Sequence, residues 1–340
     1  MDEYIGLDVS LKETAVSIRR GGKRVWRGKC PSDPQAIAAL IRERAPAAKR
    51  VVFETGPLSV WFFHALTAQG VPAICIDARH AKAALDMAAN KTDANDADGL
   101  AHLAEVGFYK VVRAKSYDSM LTRTLVAART RLVRIGTELS NQIRGLMKTF
   151  GLVVPLVTGG KFERQVEALL IDNADLGRII RPLMEAWRAV RLRAAELSRT
   201  LLADARRSDA CQLLMSIPGV GVVTATSFLA AIEEPGNFRR SRSVGAWVGL
   251  TTRRYQSGDV DYDGHISRRG NSHLRGLLYE AATSLLTRSR AGSDLRSWGL
   301  KLRERLGFKR AAVAVARKLA VIMHTMLTTG EPFRSTPATI

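Results

Sequence analysis

Apolar and polar positions over residues 1–110 alternate in short blocks whose period changes along the chain. Tyr4-Ile5-Gly6-Leu7-Asp8-Val9 is an apolar run of strand length. Strand-like stretches follow at 14–18 and 24–27, and the Gly21-Gly22 pair can join them as an antiparallel hairpin. Residues 34–44 have helical spacing, and 50–54 form another strand ended by Gly56-Pro57. A helix at 58–68, a strand at 71–76 and a helix at 81–89 come next, and Thr92 is placed to cap a helix running to about Val106.

Three strands, a helix, a strand, a helix and a last strand is the order of a ribonuclease H-like sheet. The pattern then lengthens. In 117–150, Leu121, Leu125, Leu132, Ile135, Leu139, Ile143 and Leu146 recur at threes, fours and sevens with charges between them, and 161–207 is similar. Such stripes predict long amphipathic helices, paired as a hairpin or coiled coil for packing or dimerisation. Residues 151–160 are the break, and Pro182 is a candidate kink. From Ser208 the chain reads as helical, with a Gly/Ser/Asp/Arg-rich loop at 253–271. The expected organisation is an α/β domain at 1–110, a helical coiled-coil-like region at 111–207, a mostly helical domain at 208–330 and a loose tail at 331–340.

Charge narrows the class of partner. The chain carries 52 Lys and Arg against 32 Asp and Glu, a net +20. Residues 1–110 hold 15 basic and 13 acidic residues, so +18 of the excess falls after residue 110. A polyanion such as nucleic acid is the natural partner, because each neutralised phosphate releases counterions. No apolar run approaches about 20 residues, and no basic amphipathic segment has a Trp/Phe-rich face, so a membrane is not expected. Cys30, Cys75 and Cys211 form neither CxxC pairs nor a disulfide framework, which fits a reducing, cytoplasmic setting.

Four acids stand out. Asp8 lies inside the first apolar strand, where an unpaired charge is costly, and Glu54 ends the apolar Val51-Val52-Phe53. Asp93 and Asp96 are three apart at a helix start and share a face. On neighbouring strands and one helix these four can hold two divalent ions about 3.5–4 Å apart for in-line phosphoryl displacement, with oxygen ligands favouring Mg²⁺ or Mn²⁺. Taken alone, Asp93 and Asp96 also suit a helix N-terminus electrostatically. Asp98 points elsewhere, and Asp77 is the chief impostor.

The second half offers hydroxyls among arginines. Ile217-Pro218-Gly219-Val220-Gly221 is either a plain turn or a Gly-x-Gly hairpin that presents backbone N–H groups to phosphates through Gly219 and Gly221. Arg253-Arg254-Tyr255-Gln256-Ser257-Gly258 and Ser267-Arg268-Arg269-Gly270-Asn271, with Arg275 beyond, combine candidate nucleophiles with phosphate-binding cations. Ser257, Tyr255 and Ser267 compete for the first role. Asp259-Val260-Asp261-Tyr262-Asp263-Gly264 opens like a calcium loop, but its twelfth position is Gly270. His265 and His273 lack partners at zinc spacing.

The Asp8 strand, Val52-Phe53-Glu54-Thr55-Gly56-Pro57 and Lys91-Thr92-Asp93-Ala94-Asn95-Asp96-Ala97 together resemble the DEDD transposases of the IS110 group. Ile217 to Gly221, Gln256-Ser257-Gly258 and Ile266 to Asn271 resemble that family's C-terminal transposase domain. The resemblance covers nearly the whole chain in order. It implies a RuvC-like domain with Asp8, Glu54, Asp93 and Asp96 as metal ligands, a catalytic serine placed here at Ser257, and a phosphoserine link to DNA. It further implies a dimer or tetramer with the site shared between subunits, and a structured bridge RNA that selects donor and target DNA. A junction nuclease without a covalent intermediate and an inactive nucleic-acid-binding scaffold are the alternatives.

Overall fold

The apolar run around Leu7 forms β1 (Glu3–Val9), and a five-stranded sheet is built outward from it. β1 pairs antiparallel with β2 (Glu13–Arg20), which turns through Gly21 and Gly22 into β3 (Lys23–Pro31). Both glycines have positive φ, as the tight hairpin turn that matches strand twist requires. α1 (Pro34–Arg44), capped by Asp33, leads to β4 (Ala48–Glu54), parallel to β1. α2 (Ser59–Ala68) leads to β5 (Ala73–Ile76), parallel to β4, and the order is β3-β2-β1-β4-β5. α3 (Ala78–Leu85) and α4 (Asp93–Val106) complete this part.

This computed structural model describes residues 1–86, 90–289 and 292–334, which fall into two units, Met1–Ser116 and Tyr117–Ile340. A mixed α/β sheet therefore precedes a mostly helical remainder. The strand expected at 71–76 starts only at Ala73, because Pro72 has no N–H for the ladder. The helix expected at 81–89 begins earlier, at Ala78, where Asp77 accepts from the N–H groups of Arg79 and His80. Its expected end at 87–89 lies outside the described residues.

Period-two alternation gives the first unit two cores. Ile5, Leu7 and Phe53 pack with Ile37, Phe62 and Leu66 on one face. Val52 and Ile76 pack with Ala81, Leu100, Leu103 and Ala104 on the other. Each such side chain contributes roughly 1.5–3 kcal/mol by leaving water. Between Ile5 and Leu7, Gly6 leaves no room for a side chain: a Cβ there would lie 2.1 Å from the Ala97 carbonyl oxygen and 2.3 Å from the Ala101 nitrogen. α4 thus rests on the backbone of β1. It is fastened to β2 as well, since Ser17 Oγ donates to Asp98 at 3.0 Å and Arg19 Nε donates to Glu105 at 2.9 Å.

The second unit opens with α5 (Tyr117–Lys148), α6 (Gly160–Leu170) and α7 (Ala174–Arg206). α5 and α7 run antiparallel, with Arg129 donating to Ser198 and Gly136 against Val190. The single long segment expected at 161–207 is two helices. Asn173 donates from its side chain to the Leu169 carbonyl and so competes with the helical ladder there. α7 continues through Pro182. Next come α8 (Asp209–Met215), α9 (Val222–Ile232) and α10 (Arg242–Trp247).

The loop expected at 253–271 is instead largely a hairpin of β6 (Thr252–Ser257) and β7 (Val260–Ile266). Alternation did not reveal it because neither strand has a buried apolar face. Cross-strand pairs hold it, Arg254 with Asp261 and Tyr255 with Tyr262, whose rings are 5.5 Å apart. α11 (Ser272–Thr287), α12 (Asp294–Leu306) and α13 (Phe308–Thr329) close the unit. α13 corrects the expectation that no apolar run nears membrane length: by length and composition it would pass, with a mean hydropathy of 1.4 over its best window. Val315, Leu319 and Met323 on it are fully buried in the unit's core, as in the core helix of a folded unit. The three cysteines are free and buried, and burial pushes the Cys75 and Cys211 thiols up to about 11. Of the tail, residues 331–334 are neither helix nor strand, and 335–340 lie outside the described residues.

Gly6→Ala is expected to cost about 3 kcal/mol or more, because backbone must yield on one side or the other. Urea unfolding of the full chain checks this, and an unchanged midpoint would show that α4 does not bear on β1.

Candidate active site

Leu7 and Phe53 are register partners on parallel strands, so Asp8 and Glu54 are the next residues along each. Alternation turns both away from the face of Leu7 and Phe53, toward the face of Gly6 and Val52 where α4 lies. On α4, Asp93 lies one turn before Ala97, and Asp96 one turn before Leu100. Ala97 and Leu100 are buried against the sheet, so both acids stand on the inward side at the helix start. Thr92 fixes that start by accepting from the Asn95 N–H. All four acids therefore gather at the carboxyl ends of β1 and β4.

Their electrostatics agree with this placement. Burial, then the charges of Asp93 and Asp96, hold the Asp8 carboxyl above the usual carboxylate range. Burial, then Asp8 and Asp96, do the same to Glu54. Two lysines that sequence reasoning passed over partly offset this. Lys91 acts on both Asp8 and Glu54, and Lys29 on Asp8. Lys29 is in register with Asp8 across Ala15 of β2, and its Nζ reaches Asp93 Oδ2 at 3.2 Å. The small side chain of Ala15 leaves that path open. Strand register was the missing signal, since Lys29 lies far along the chain from each of the four acids.

The carboxylates of Asp8, Glu54 and Asp96 have no hydrogen-bond or ion-pair partner among the described residues. Half-buried carboxylates that repel one another and lack donors suit a hard divalent cation in donor chemistry. No three of the described acids, cysteines or histidines stand close enough here to share an ion. Binding one would have to draw the acids together against their mutual repulsion. Three other acids of the unit are committed elsewhere. Asp77 caps α3, Asp98 pairs with Arg19 and Arg24, and buried Glu3 accepts from Arg20 and from the Ala47 N–H.

In the second unit Ser257 ends β6 beside Gly258, whose φ of 55° makes the hairpin turn, and it is exposed. Register puts Tyr255, Ser257, Val260 and Tyr262 on one face of the hairpin and Arg254, Gln256 and Asp261 on the other. Ser267 lies beyond the hairpin, its Oγ accepting from the Arg269 N–H at 3.5 Å. Arg268 and Arg269 are exposed, and Arg253 donates to the Ser267 carbonyl. Several candidates for phosphate contact carry structural duties. Asn271 caps α11, Arg275 donates to the carbonyls of Val248 and Arg269, Arg254 holds Asp261, and Gly219 allows the chain to press on the Ala281 carbonyl. Gly221 precedes α9 in open space. His324, unremarked in the sequence, is buried and ties Ser241 to Pro235. Asp261 is taken by Arg254 on a strand, so the calcium-loop pattern has no loop to act in.

Family profiles match both parts of the chain. A transposase family profile, the DEDD type of IS110, matches residues 5–151, and the IS116/IS110/IS902 transposase profile matches 211–296. The transposase of insertion sequence IS1111A from Coxiella burnetii is 34% identical over 84% of this chain and 79% of its own. The chain belongs to the IS110 family of transposases. A probable family 20 transposase of Pseudomonas aeruginosa is 30% identical over 70% of this chain and 72% of its own. A pilin gene-inverting protein of Moraxella bovis is 28% identical over 36% and 38% respectively.

The raised carboxyls make this transposase's stability depend on pH. With Asp8 and Glu54 shifted up, the folded chain binds more protons than the unfolded one just above the ordinary carboxylate range, so stability falls as pH rises through that window. Asp8→Asn, in chelator, is expected to melt above the unaltered chain at about pH 7, and the gap should shrink toward about pH 4. Melting curves at the two pH values decide it, and a variant that melts lower at the upper pH refutes the repulsion.

Proposed function

We propose that this transposase exchanges DNA strands through a covalent phosphoserine intermediate, with Ser257 as nucleophile and the acid quartet as metal site in a ribonuclease H-like, RuvC-like unit. The observation that carries the metal half is the gathering of Asp8 and Glu54 at the ends of β1 and β4 with Asp93 and Asp96 at the start of α4, where Asp8, Glu54 and Asp96 have no hydrogen-bond or ion-pair partner among the described residues. The sheet order and the seat of α4 support the ribonuclease H-like reading. The four acids would hold two Mg²⁺ or Mn²⁺ ions, which when bound polarise a phosphate and stabilise developing charge.

Ser257 presents an unencumbered hydroxyl at the tip of an exposed hairpin. Its Oγ attacks a backbone phosphorus, a base takes the Oγ proton, and the P–O3′ bond breaks. A 5′-phosphoserine and a free 3′-hydroxyl result. Attack by a 3′-hydroxyl of another strand on the phosphoserine restores the serine and joins the new ends, so no phosphodiester energy is lost. Arg253, Arg268 and Arg269 supply cations for the phosphate. Tyr255 lies on the same hairpin face, with its ring against Tyr262. That pairing favours a packing or stacking duty for it. The name of the Moraxella protein, which inverts a gene, fits a reaction that cuts and rejoins.

The partners proposed with this reading are donor and target DNA, a bridge RNA, and further copies of the chain in a dimer or tetramer. The +18 balance after residue 110 accommodates both nucleic acids. The setting is cytoplasmic.

Trapping the protein–DNA adduct and mapping the linked residue by mass spectrometry tests the assignment. Ser257→Ala is expected to abolish the adduct, while Tyr255→Phe and Ser267→Ala retain it. Asp8→Ala is expected to slow strand exchange by at least about a hundredfold at any Mg²⁺ concentration. Metal-dependent nicking without any adduct would make water the nucleophile and the chain a junction nuclease. Nucleic-acid binding with no cleavage under any metal would leave only a scaffold.

A further inference from the structure

Within the second unit, α5, α7 and the loop before α6 enclose a cavity of about 600 Å³ that the strand-exchange chemistry does not use. Two arginines line it. The Arg144 guanidinium lies 4.5 Å from the centre of the Phe162 ring, and that of Arg191 lies 4.5 Å from the centre of Trp187. The two rings meet edge-on at 5.0 Å, so the guanidiniums are held on one aromatic block. The lining contains no Asp or Glu.

Neighbouring arginines on α7 make the contrast. Arg181 pairs with Glu167, Arg188 with Glu163 and Glu167, and Arg193 with Glu196. Among the described residues, neither Arg144 nor Arg191 has a carboxylate partner. Arg144 spends its Nη groups on the carbonyls of Ser140 and Val157, yet its Nε is buried without a partner. Arg181, Arg188 and Arg193 are neutralised within the chain, whereas the two arginines that line the cavity are not. An anion is the missing counterpart. The apolar walls and the volume, far larger than a phosphate needs, call for a planar group attached to that anion.

We infer that this cavity binds a nucleotide unit of a nucleic-acid strand, taking an unstacked base into the cavity and its phosphate onto Arg191 and Arg144. Arg191 is exposed and stacked, so it can meet a phosphate with little loss of side-chain freedom. A strand carrying an unpaired or bulged nucleotide satisfies these demands, whereas a regular duplex keeps its bases stacked and out of reach. This inference requires only that the family acts on nucleic acid, and it stands or falls apart from the acid quartet and Ser257.

The test is equilibrium binding of the full chain to fluorescent single-stranded DNA and RNA of one sequence, across a salt series. Three variants are compared with the unaltered chain: Arg191→Gln, Ala195→Trp, which fills the cavity without changing charge, and Arg178→Gln, an exposed α7 arginine outside the lining. Arg191→Gln is expected to weaken binding about five- to tenfold near about 100 mM salt and to lower the slope of log K against log salt by about one. Ala195→Trp should weaken binding and leave the slope near its original value. Arg178→Gln should change neither. Losses confined to RNA assign the cavity to an RNA strand, losses confined to DNA to a DNA strand, and equal losses to a shared site. Unaltered binding in both Arg191→Gln and Ala195→Trp, or an equal loss in Arg178→Gln, overturns the proposal.

Discussion

The absence of a side chain at Gly6 is the constraint on which the candidate active site rests. It lets the backbone of α4 settle onto β1, with the Ala97 carbonyl occupying the space a Cβ would need. That contact fixes the height of the helix above the sheet, and the Thr92 cap fixes where the helix begins. Asp93 and Asp96 are thereby delivered over the strand ends that carry Asp8 and Glu54. Move the helix outward by the width of a methyl group and the acids part.

Gathering acids in this way works against stability. Two half-buried carboxylates have raised pKa values because burial, and after it their acidic neighbours, disfavour the charged form, and Lys29 and Lys91 offset only part of this. A fold selected only to be stable would have spent those positions on apolar side chains. Elsewhere in the same unit it pairs its charges carefully, as with Asp98, Glu105 and Glu3. The unpaired acids at the strand edge and the unpaired arginines around the second-unit cavity therefore follow one logic. At both places the proposed counterpart is a charged group bound from outside the chain.

The hairpin carrying Ser257 has a different relation to its surroundings. Both faces of β6 are exposed, and an isolated two-stranded hairpin is marginal in water. Its base is held by Ile266 against the unit's core, by the backbone bond from Ser267 to Thr251 and by the close approach of Gly249 to Arg269. A tip anchored at its base and free at its end suits a group that must reach into a partner. The same freedom leaves Ser257 without the buried surroundings that mark the acids.

Sequence alone determined the order of elements in the first unit and the family, and it singled out four acids that the fold then places around the ends of β1 and β4. Strand and helix periods are local properties, and a charge inside an apolar run is visible without any structure. It separated Asp8 and Glu54 from ordinary surface acids, and it set Asp98 aside on helical spacing. It missed the hairpin at β6 and β7, whose strands are stabilised by cross-strand ion and ring pairs rather than a buried face. The break at Asn173 depends on a side-chain bond that no periodicity reports. Only the tertiary structure decided that Lys29 belongs with Asp93, that Arg275 and Asn271 serve the backbone, and that Arg144 and Arg191 face one cavity. Those relations join residues distant in the chain, and distance in the chain says nothing of register between strands or of which side of a helix meets a charge of the opposite sign.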